Sequence, residues 1–387
     1  MSDTVLKTNT EKKVNYQFKI IYAMLMFCVL CGHLGIVENY VPWTELFSVY
    51  GFGIQLFIFV SGYFYNSKTD NSPLIFIFKK IKKLLIPYLL WNLFYGLLCF
   101  ALSKAGFTFA PALSWQRVTY LPFTFGPEFY FNTPSWFIVP MLFTEIITVL
   151  ERRLLVKFEG AKKDVFLLIF NFCIGMLAIY FARKGYSAGG WNEEWWRFIV
   201  RILFFVPYYM LGYFYKTYLE KYDTLSNFWY FMIVCSLGIV YILLNGHASS
   251  YFVIVMGGFE NPVYPIITGL LGIAFYLRIA RVLTPVIGKS RYINAIADNT
   301  FSIMMHHMLG FFLLSGLFLV ISKFLPDYVK FDIEAFKSGS YYYMPRGRGF
   351  PLVYVIFGLF FSIYFQKLFN LIKAVIVKKF FTKKEMA

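Results

Sequence analysis

Few residues in this 387-residue chain combine a reactive side chain with an apolar setting, and the first is a histidine. His33 lies within KIIYAMLMFCVLCGHLGIVE, Lys19 to Glu38, and is the one imidazole in that run. An ionisable group in hydrocarbon is costly unless it faces a protein interior or a wet cavity, so it marks a functional site. With Lys19 at the inner membrane surface, fourteen residues at about 1.5 Å of rise place His33 roughly 21 Å into a core about 30 Å thick. His306 and His307 enter a later apolar run about seven residues in, roughly 10 Å from the same surface. Adjacent residues point about 100° apart on a helix, so at most one of the two can face the cavity that His33 faces. The depths differ by about 10 Å, which predicts no direct contact without tilt or a broken helix. The chemistry open to such rings is proton transfer.

Other residues could bind rather than react. Ser61 and Gly62, in FGIQLFIFVSGYFYN, either permit close approach of two helices or line a substrate path. Lys79, Lys80, Lys82 and Lys83, in KKIKKLLIPYLLW, suit either anionic headgroups or a polyphosphate. Trp136 is either an interfacial anchor or a face on which a ligand stacks, and Glu145, inside an apolar segment, needs a partner or a cavity. Late in the chain YYYMPRGRG offers Tyr342 for sugar stacking and Arg346 and Arg348 for carboxylates or phosphates; the same residues would also make an ordinary interfacial rim. The adjacent His306 and His307 cannot close a tetrahedral zinc site, so no metal is expected.

The elements that position these residues follow from composition. At 59% hydrophobic and 15% charged the chain is too apolar for a soluble domain. Its fold class is therefore all-α, a polytopic transmembrane helical bundle. Ten apolar segments of spanning length lie at roughly 20–38, 47–66, 84–103, 135–150, 164–182, 197–215, 227–245, 262–280, 300–321 and 350–372. The formal charge of +17 would suit nucleic acid if it were clustered on a soluble face. It falls instead in short runs between apolar segments, KKIKK, ERR with AKK, Lys216 and Lys221, residues 278–291, and the final KKFFTKK. Putting those runs inside obeys the positive-inside bias and makes both termini cytoplasmic, with no nucleic-acid partner.

One membrane-embedded domain accounts for residues 1–387: a tail at 1–19, a ten-helix bundle at 20–372 and a basic tail at 373–387. The polar first eighteen residues lead into a full-length span, so no cleavable signal peptide is expected. All five cysteines lie in apolar segments, where a thiol behaves as a small hydrophobe, and no disulfide framework follows. The loop between the third and fourth spans, TYLPFTFGPEFYFNTPSWFIVP, is too aromatic to float in water; it folds over the bundle or dips into the headgroup layer.

Taken in order, these pieces resemble the acyltransferase-3 family of bacterial membrane acyltransferases that modify cell-surface polysaccharides. The likeness rests on His33 near the outer part of the first span, F-x-x-x-SGY at Phe57 to Tyr63, and a basic inner stretch running into IPY at Lys79 to Tyr88. It continues with Ser-Trp-Phe at Ser135 to Phe137 and a late polar-aromatic run, TFSIMMHH, whose final histidine, His307, matches the family's. The family's usual Arg eleven residues before the first histidine is Tyr22 here. Eleven residues is close to three turns, so Tyr22 shares a face with His33, and a phenol cannot neutralise a phosphate or carboxylate. Whatever charge that Arg holds must be met by Lys19 or another group, or is absent.

The resemblance implies acyl transfer, acetyl in the first instance, from cytoplasmic acetyl-CoA to a hydroxyl of an extracytoplasmic or lipid-linked polysaccharide at the bacterial cell membrane. On that reading His33 is the base and His307 lies lower, binding donor or holding an acyl group. The nucleotide phosphates rest on Lys79 to Lys83, and the pantetheine arm passes Ser61 and Trp136. Tyr342, Arg346 and Arg348 receive the acceptor. A glycan exporter or flippase, with His33 and Glu145 as proton relays, would move its substrate unmodified and ignore acetyl-CoA. A scaffold of a polysaccharide synthase would not need His33 at all.

Overall fold

The computed structural model describes residues 14–41, 46–47, 49–109, 111–158, 160–187, 194–245, 261–339 and 350–384. It is 83% helical, and the described residues contain no strand. The first helix, α1 (Tyr16–His33), starts on Asn15, whose side chain accepts a hydrogen bond from the Phe18 amide. That cap satisfies an end-turn donor and starts the helix about one turn ahead of the apolar run. After a turn at Gly35, with φ at 66°, come the single turn α2 (Val37–Tyr40) and the fifteen-residue α3 (Val49–Tyr63). Next, α4 (Pro73–Lys80) and α5 (Ile86–Lys104) are joined by a π-helical turn at Ile81–Leu85. KKIKK, expected in an inner loop, is thus helical; the widened turn accommodates Pro87, which has no amide to give to the ladder.

The aromatic connection folds over the bundle. Its elements are α6 (Trp115–Thr119), α7 (Leu121–Thr124) and a 3₁₀ turn at Thr133–Phe137. Phe129 and Phe131 are fully buried, the Tyr88 hydroxyl donates to the Pro122 carbonyl at 3.0 Å, and the Asn92 amide donates to the Arg117 carbonyl at 3.0 Å. These bonds satisfy backbone groups that a loop in that position would otherwise leave unpaired.

Three long helices follow: α8 (Ile138–Leu154), α9 (Ala161–Ser187) and α10 (Glu194–Phe214). The chain continues through α11 (Asn227–Asn245), α12 (Tyr264–Ile287), the amphipathic α13 (Arg291–Asp298), α14 (Thr300–Phe324), the short α15 (Ile333–Ser338) and α16 (Phe350–Lys384). Among the described residues nine helices are long and apolar enough to cross a membrane, counting α4 and α5 as one rod, and α3 is a shorter apolar helix beside them. The last helix runs on to Lys384, so the basic stretch after 372 prolongs it.

Glycines set the closest helix contact. A Cβ on Gly62 of α3 would lie 1.9 Å from the Tyr209 carbonyl oxygen on α10, and one on Gly212 of α10 would lie 1.9 Å from that of Phe59. The two backbones touch, as small residues permit between membrane helices. Gly62 therefore serves helix approach, which was one of the two readings of the Ser61–Gly62 pair.

Charged groups gather where α1 begins. Lys19 pairs with Asp298 at 2.9 Å, the Tyr63 hydroxyl donates to Glu220, and buried Arg152 and Arg278 pair with Asp70 and Asp164 and with Asp223. This end is called the basic face below.

Candidate active site

His33 is the last residue of α1, and His307 sits two turns into α14. Their rings lie 5.2 Å apart, centroid to centroid, at 39°. The predicted difference in depth therefore does not keep them apart. The two helices do not start level at the membrane surface: α13 packs along α1, and α14 begins beside it at the Lys19–Asp298 pair. From that pair His33 is fourteen residues along and His307 nine, a difference of about 7.5 Å in rise, which helix inclination closes.

Hydrogen bonding assigns the two neighbouring histidines of α14 opposite tautomers. His307 Nδ1 is 2.7 Å from the Ile303 carbonyl oxygen, and a carbonyl only accepts, so Nδ1 carries the proton. The lone pair is then on Nε2, and that buried atom has no hydrogen-bond partner. A buried polar atom without a partner costs about 1–3 kcal/mol and calls for a functional account.

His306 is fully engaged. Its Nε2 donates to Gln366 Oε1 at 2.9 Å, so its Nδ1 accepts from the Tyr95 hydroxyl at 2.7 Å, and Trp91 lies edge-on at 4.4 Å. This ring ties α14 to α5 and α16. Tyr95→Phe is expected to leave His306 Nδ1 without a donor and to lower stability by about 1–3 kcal/mol. Thermal denaturation in detergent should show that loss while the surviving folded protein keeps its turnover; lost turnover at unchanged stability would move His306 into the chemistry.

Below His307, towards the basic face, lies a largely apolar cavity of about 120 Å³. Met304, one turn from His307, lines it from α14, Tyr22 from α1, Phe57 and Ser61 from α3, and Leu84 and Met141 from α5's approach and α8. Ser61 therefore stands on a cavity wall, while Gly62 beside it faces α10. Phe57 stands in the F-x-x-x-SGY motif and was legible there; Met304 and Met141 carried no signal beyond apolarity.

The four lysines do not act alike. Lys80 turns inward, its Nζ 2.6 Å from Glu145 Oε1, while Lys79, Lys82 and Lys83 are exposed. Lys80 lies one turn before Leu84 and Glu145 one turn after Met141, so this ion pair sits about a turn beyond the cavity wall on its basic side. Glu145 is 2% exposed and its Oε2 has no partner. Lys19 is engaged with Asp298, and among the described residues that line the cavity on whose wall Tyr22 stands there is no lysine or arginine.

Trp136 lies elsewhere. Its ring packs 4.9 Å beneath the Arg201 guanidinium and beside Phe205, off the cavity wall. Tyr342, Arg346 and Arg348 lie outside the described residues.

A second, wider cleft of about 560 Å³ opens on the side away from the basic face, beneath the aromatic connection. Thr133 lines this cleft and Phe137 lines the inner cavity, so the 3₁₀ turn Thr133–Phe137 separates the two. Its four steps span about 8 Å. The buried acceptor nitrogen of His307 thus belongs to a residue one turn from Met304 on the wall of a short, largely apolar cavity, and the wider, open cleft lies beyond the 3₁₀ turn.

No curated protein and no solved structure matches the chain. A family model described as an acyltransferase domain matches residues 15–365, nearly the whole length, and the region matched holds both histidines, both cavities and the Lys80–Glu145 pair. The chain belongs to the acyltransferase-3 family and is a multi-pass membrane acyltransferase.

Proposed function

We propose that the protein transfers an acyl group, in the first instance acetyl, from acyl-CoA in the cytoplasm to a hydroxyl of an extracytoplasmic or lipid-linked polysaccharide at the bacterial cytoplasmic membrane. The observation that carries this reading is the partnerless Nε2 of His307, 5.2 Å ring to ring from His33 and one turn above the inner cavity. A lone pair held by a fixed tautomer is what a general base needs before substrate arrives.

The basic face is assigned to the cytoplasm by the positive-inside bias. The donor's nucleotide is held outside the bundle by Lys79, Lys82 and Lys83, and its thioester end enters past Lys80 and Glu145. A cavity of about 120 Å³ accommodates a short acyl thioester and not a nucleotide. His307 Nε2 takes the proton of the acceptor hydroxyl as that oxygen attacks the thioester carbonyl. The tetrahedral adduct collapses with loss of the thiolate, which takes the proton back from His307. An ester and free coenzyme A result, with no net proton consumed. His33 orients the His307 ring and the incoming hydroxyl.

The test is coenzyme A release by purified protein in lipid, given acetyl-CoA and polysaccharide-bearing membranes, together with acetylated polysaccharide in cells carrying the gene. Both are expected to vanish in His33→Ala. Release of none by the wild type overturns transfer and leaves transport of an unmodified glycan.

The donor path has its own check. Exchanging Lys79, Lys80, Lys82 and Lys83 together for Gln should raise the apparent Michaelis constant for acetyl-CoA at least about tenfold, since several charge-assisted phosphate contacts of 1.5–3 kcal/mol are lost. Acceptor binding should hold. An unchanged constant removes the phosphates from this site.

A further inference from the structure

We infer that the outer cleft binds a neutral glycosyl unit of the acceptor, a sugar ring without a carboxylate or phosphate, held between Phe109, Phe125 and the Arg117–Glu128 pair; this deepens the transferase reading and rests on it. At about 560 Å³ the cleft falls in the ordinary range for small-ligand sites. Its wall supplies two rings, Phe109 and Phe125, the latter with the Arg197 guanidinium 4.3 Å from its centroid, and two hydroxyls, Thr108 and Thr133, which donate to backbone carbonyls and keep lone pairs to accept with. Sugars present a C–H face that packs on rings and an edge of hydroxyls that both give and accept hydrogen bonds.

The charged part of the wall is self-neutralised. Arg117 Nε donates to Glu128 Oε2 at 2.6 Å, and Arg117 Nη1 donates to the Ala112 carbonyl at 2.9 Å. Nη2 of Arg117 and Oε1 of Glu128 have no partner among the described residues, so one donor and one acceptor sit side by side in the open cleft. Vicinal hydroxyls match that pair. An anionic ring does not match that pair, because the Arg117 guanidinium is already held by a carboxylate that would repel it.

The wall is also held in place. The Asn92 amide donates to the Arg117 carbonyl, the Ser114 hydroxyl accepts from the Arg117 amide, and Phe129, next to Glu128, is fully buried. Contact with the reacting centre is short. Phe109 lies 6.0 Å from Phe312 on α14, five residues beyond His307, or about 7.5 Å of helical rise.

The experiment uses the purified full chain in lipid nanodiscs. Tetramers of glucose and of N-acetylglucosamine are the neutral probes, and a tetramer of galacturonic acid is the acidic one, each titrated calorimetrically. A neutral tetramer should bind, the uronate should not, and Glu128→Gln and Arg117→Met should each weaken binding at least about tenfold, the loss expected for a hydrogen bond to a charged group. Should both variants fail to stay monodisperse, hydrogen exchange on the wild type decides: the neutral tetramer should slow exchange over residues 108–133. The proposal falls if no neutral tetramer binds, if the uronate binds as well, if the variants bind unchanged, or if that segment is unprotected. Coenzyme A release by the same preparation separates the two readings. Normal release with unchanged variants sinks the cleft and spares the transferase. Absent release with cleft-dependent sugar binding does the reverse.

Discussion

His307→Ala should lower the turnover of acyl transfer by about 10²–10⁴, the span that a positioned general base contributes. Ile303 offers a carbonyl 2.7 Å from Nδ1, which fixes the proton there and leaves Nε2 as a buried acceptor without a partner. His307→Gln retains an amide that can still give a hydrogen bond to Ile303 but supplies no basic nitrogen, so it should be nearly as inactive as alanine while folding like the wild type. The loss should appear in kcat, with the Michaelis constant for acetyl-CoA close to its original value, because the base acts on the acceptor hydroxyl and makes no contact with the nucleotide. His33→Ala should also inactivate, and the double variant should be little worse than either alone, as expected of residues that act as a unit. Turnover of His307→Gln within tenfold of wild type would place the base on another residue.

Much of this site was legible in the chain. An imidazole in an apolar run is conspicuous, and both His33 and His307 were picked out from the sequence. What could not be read was how the two rings face each other and which nitrogen of His307 has no partner. The tautomer of His307 depends on a carbonyl one turn back that any helix would offer, and the occupied state of its neighbour depends on Tyr95 and Gln366, which lie 211 and 60 residues from His306. The same limit explains Lys80. Its cluster reads as four equal charges because spacing says nothing about α8, whose Glu145 draws one lysine inward across 65 residues of sequence. Ser61 and Gly62 show the opposite case: one dipeptide puts Gly62 against α10 and Ser61 on the cavity wall, because successive residues on a helix face different neighbours. Depth counted along a single helix failed for the histidine pair because it took no account of where α14 begins relative to α1.

The least legible feature is also the most consequential for folding. Arg152→Ala is expected to cost about 3–5 kcal/mol, the penalty for breaking a buried ion pair by removing one partner. Arg152 is 3% exposed, and its guanidinium meets three acceptors at once: Asp70 Oδ2 at 3.0 Å, Asp164 Oδ1 at 2.6 Å and the Tyr213 hydroxyl at 3.1 Å. The Tyr213 ring lies 4.2 Å from it, and the Tyr218 hydroxyl donates to the other oxygen of Asp164 at 2.7 Å. One side chain of α8 thus ties down the segment before α4, the start of α9 and the end of α10. Alanine leaves two buried carboxylates facing each other with that cation gone. Arg152→Lys keeps the charge but not the planar fork, so it should recover only part of the loss. Neutralising the carboxylates together, Arg152→Met with Asp70→Asn and Asp164→Asn, should recover much more, because the cost lies in unpaired charge and not in the bonds themselves. Thermal unfolding of detergent-solubilised protein orders the four: wild type highest, Arg152→Ala lowest. If the triple variant were no more stable than Arg152→Ala, the cluster would owe its weight to hydrogen-bond geometry and the charge argument would fail.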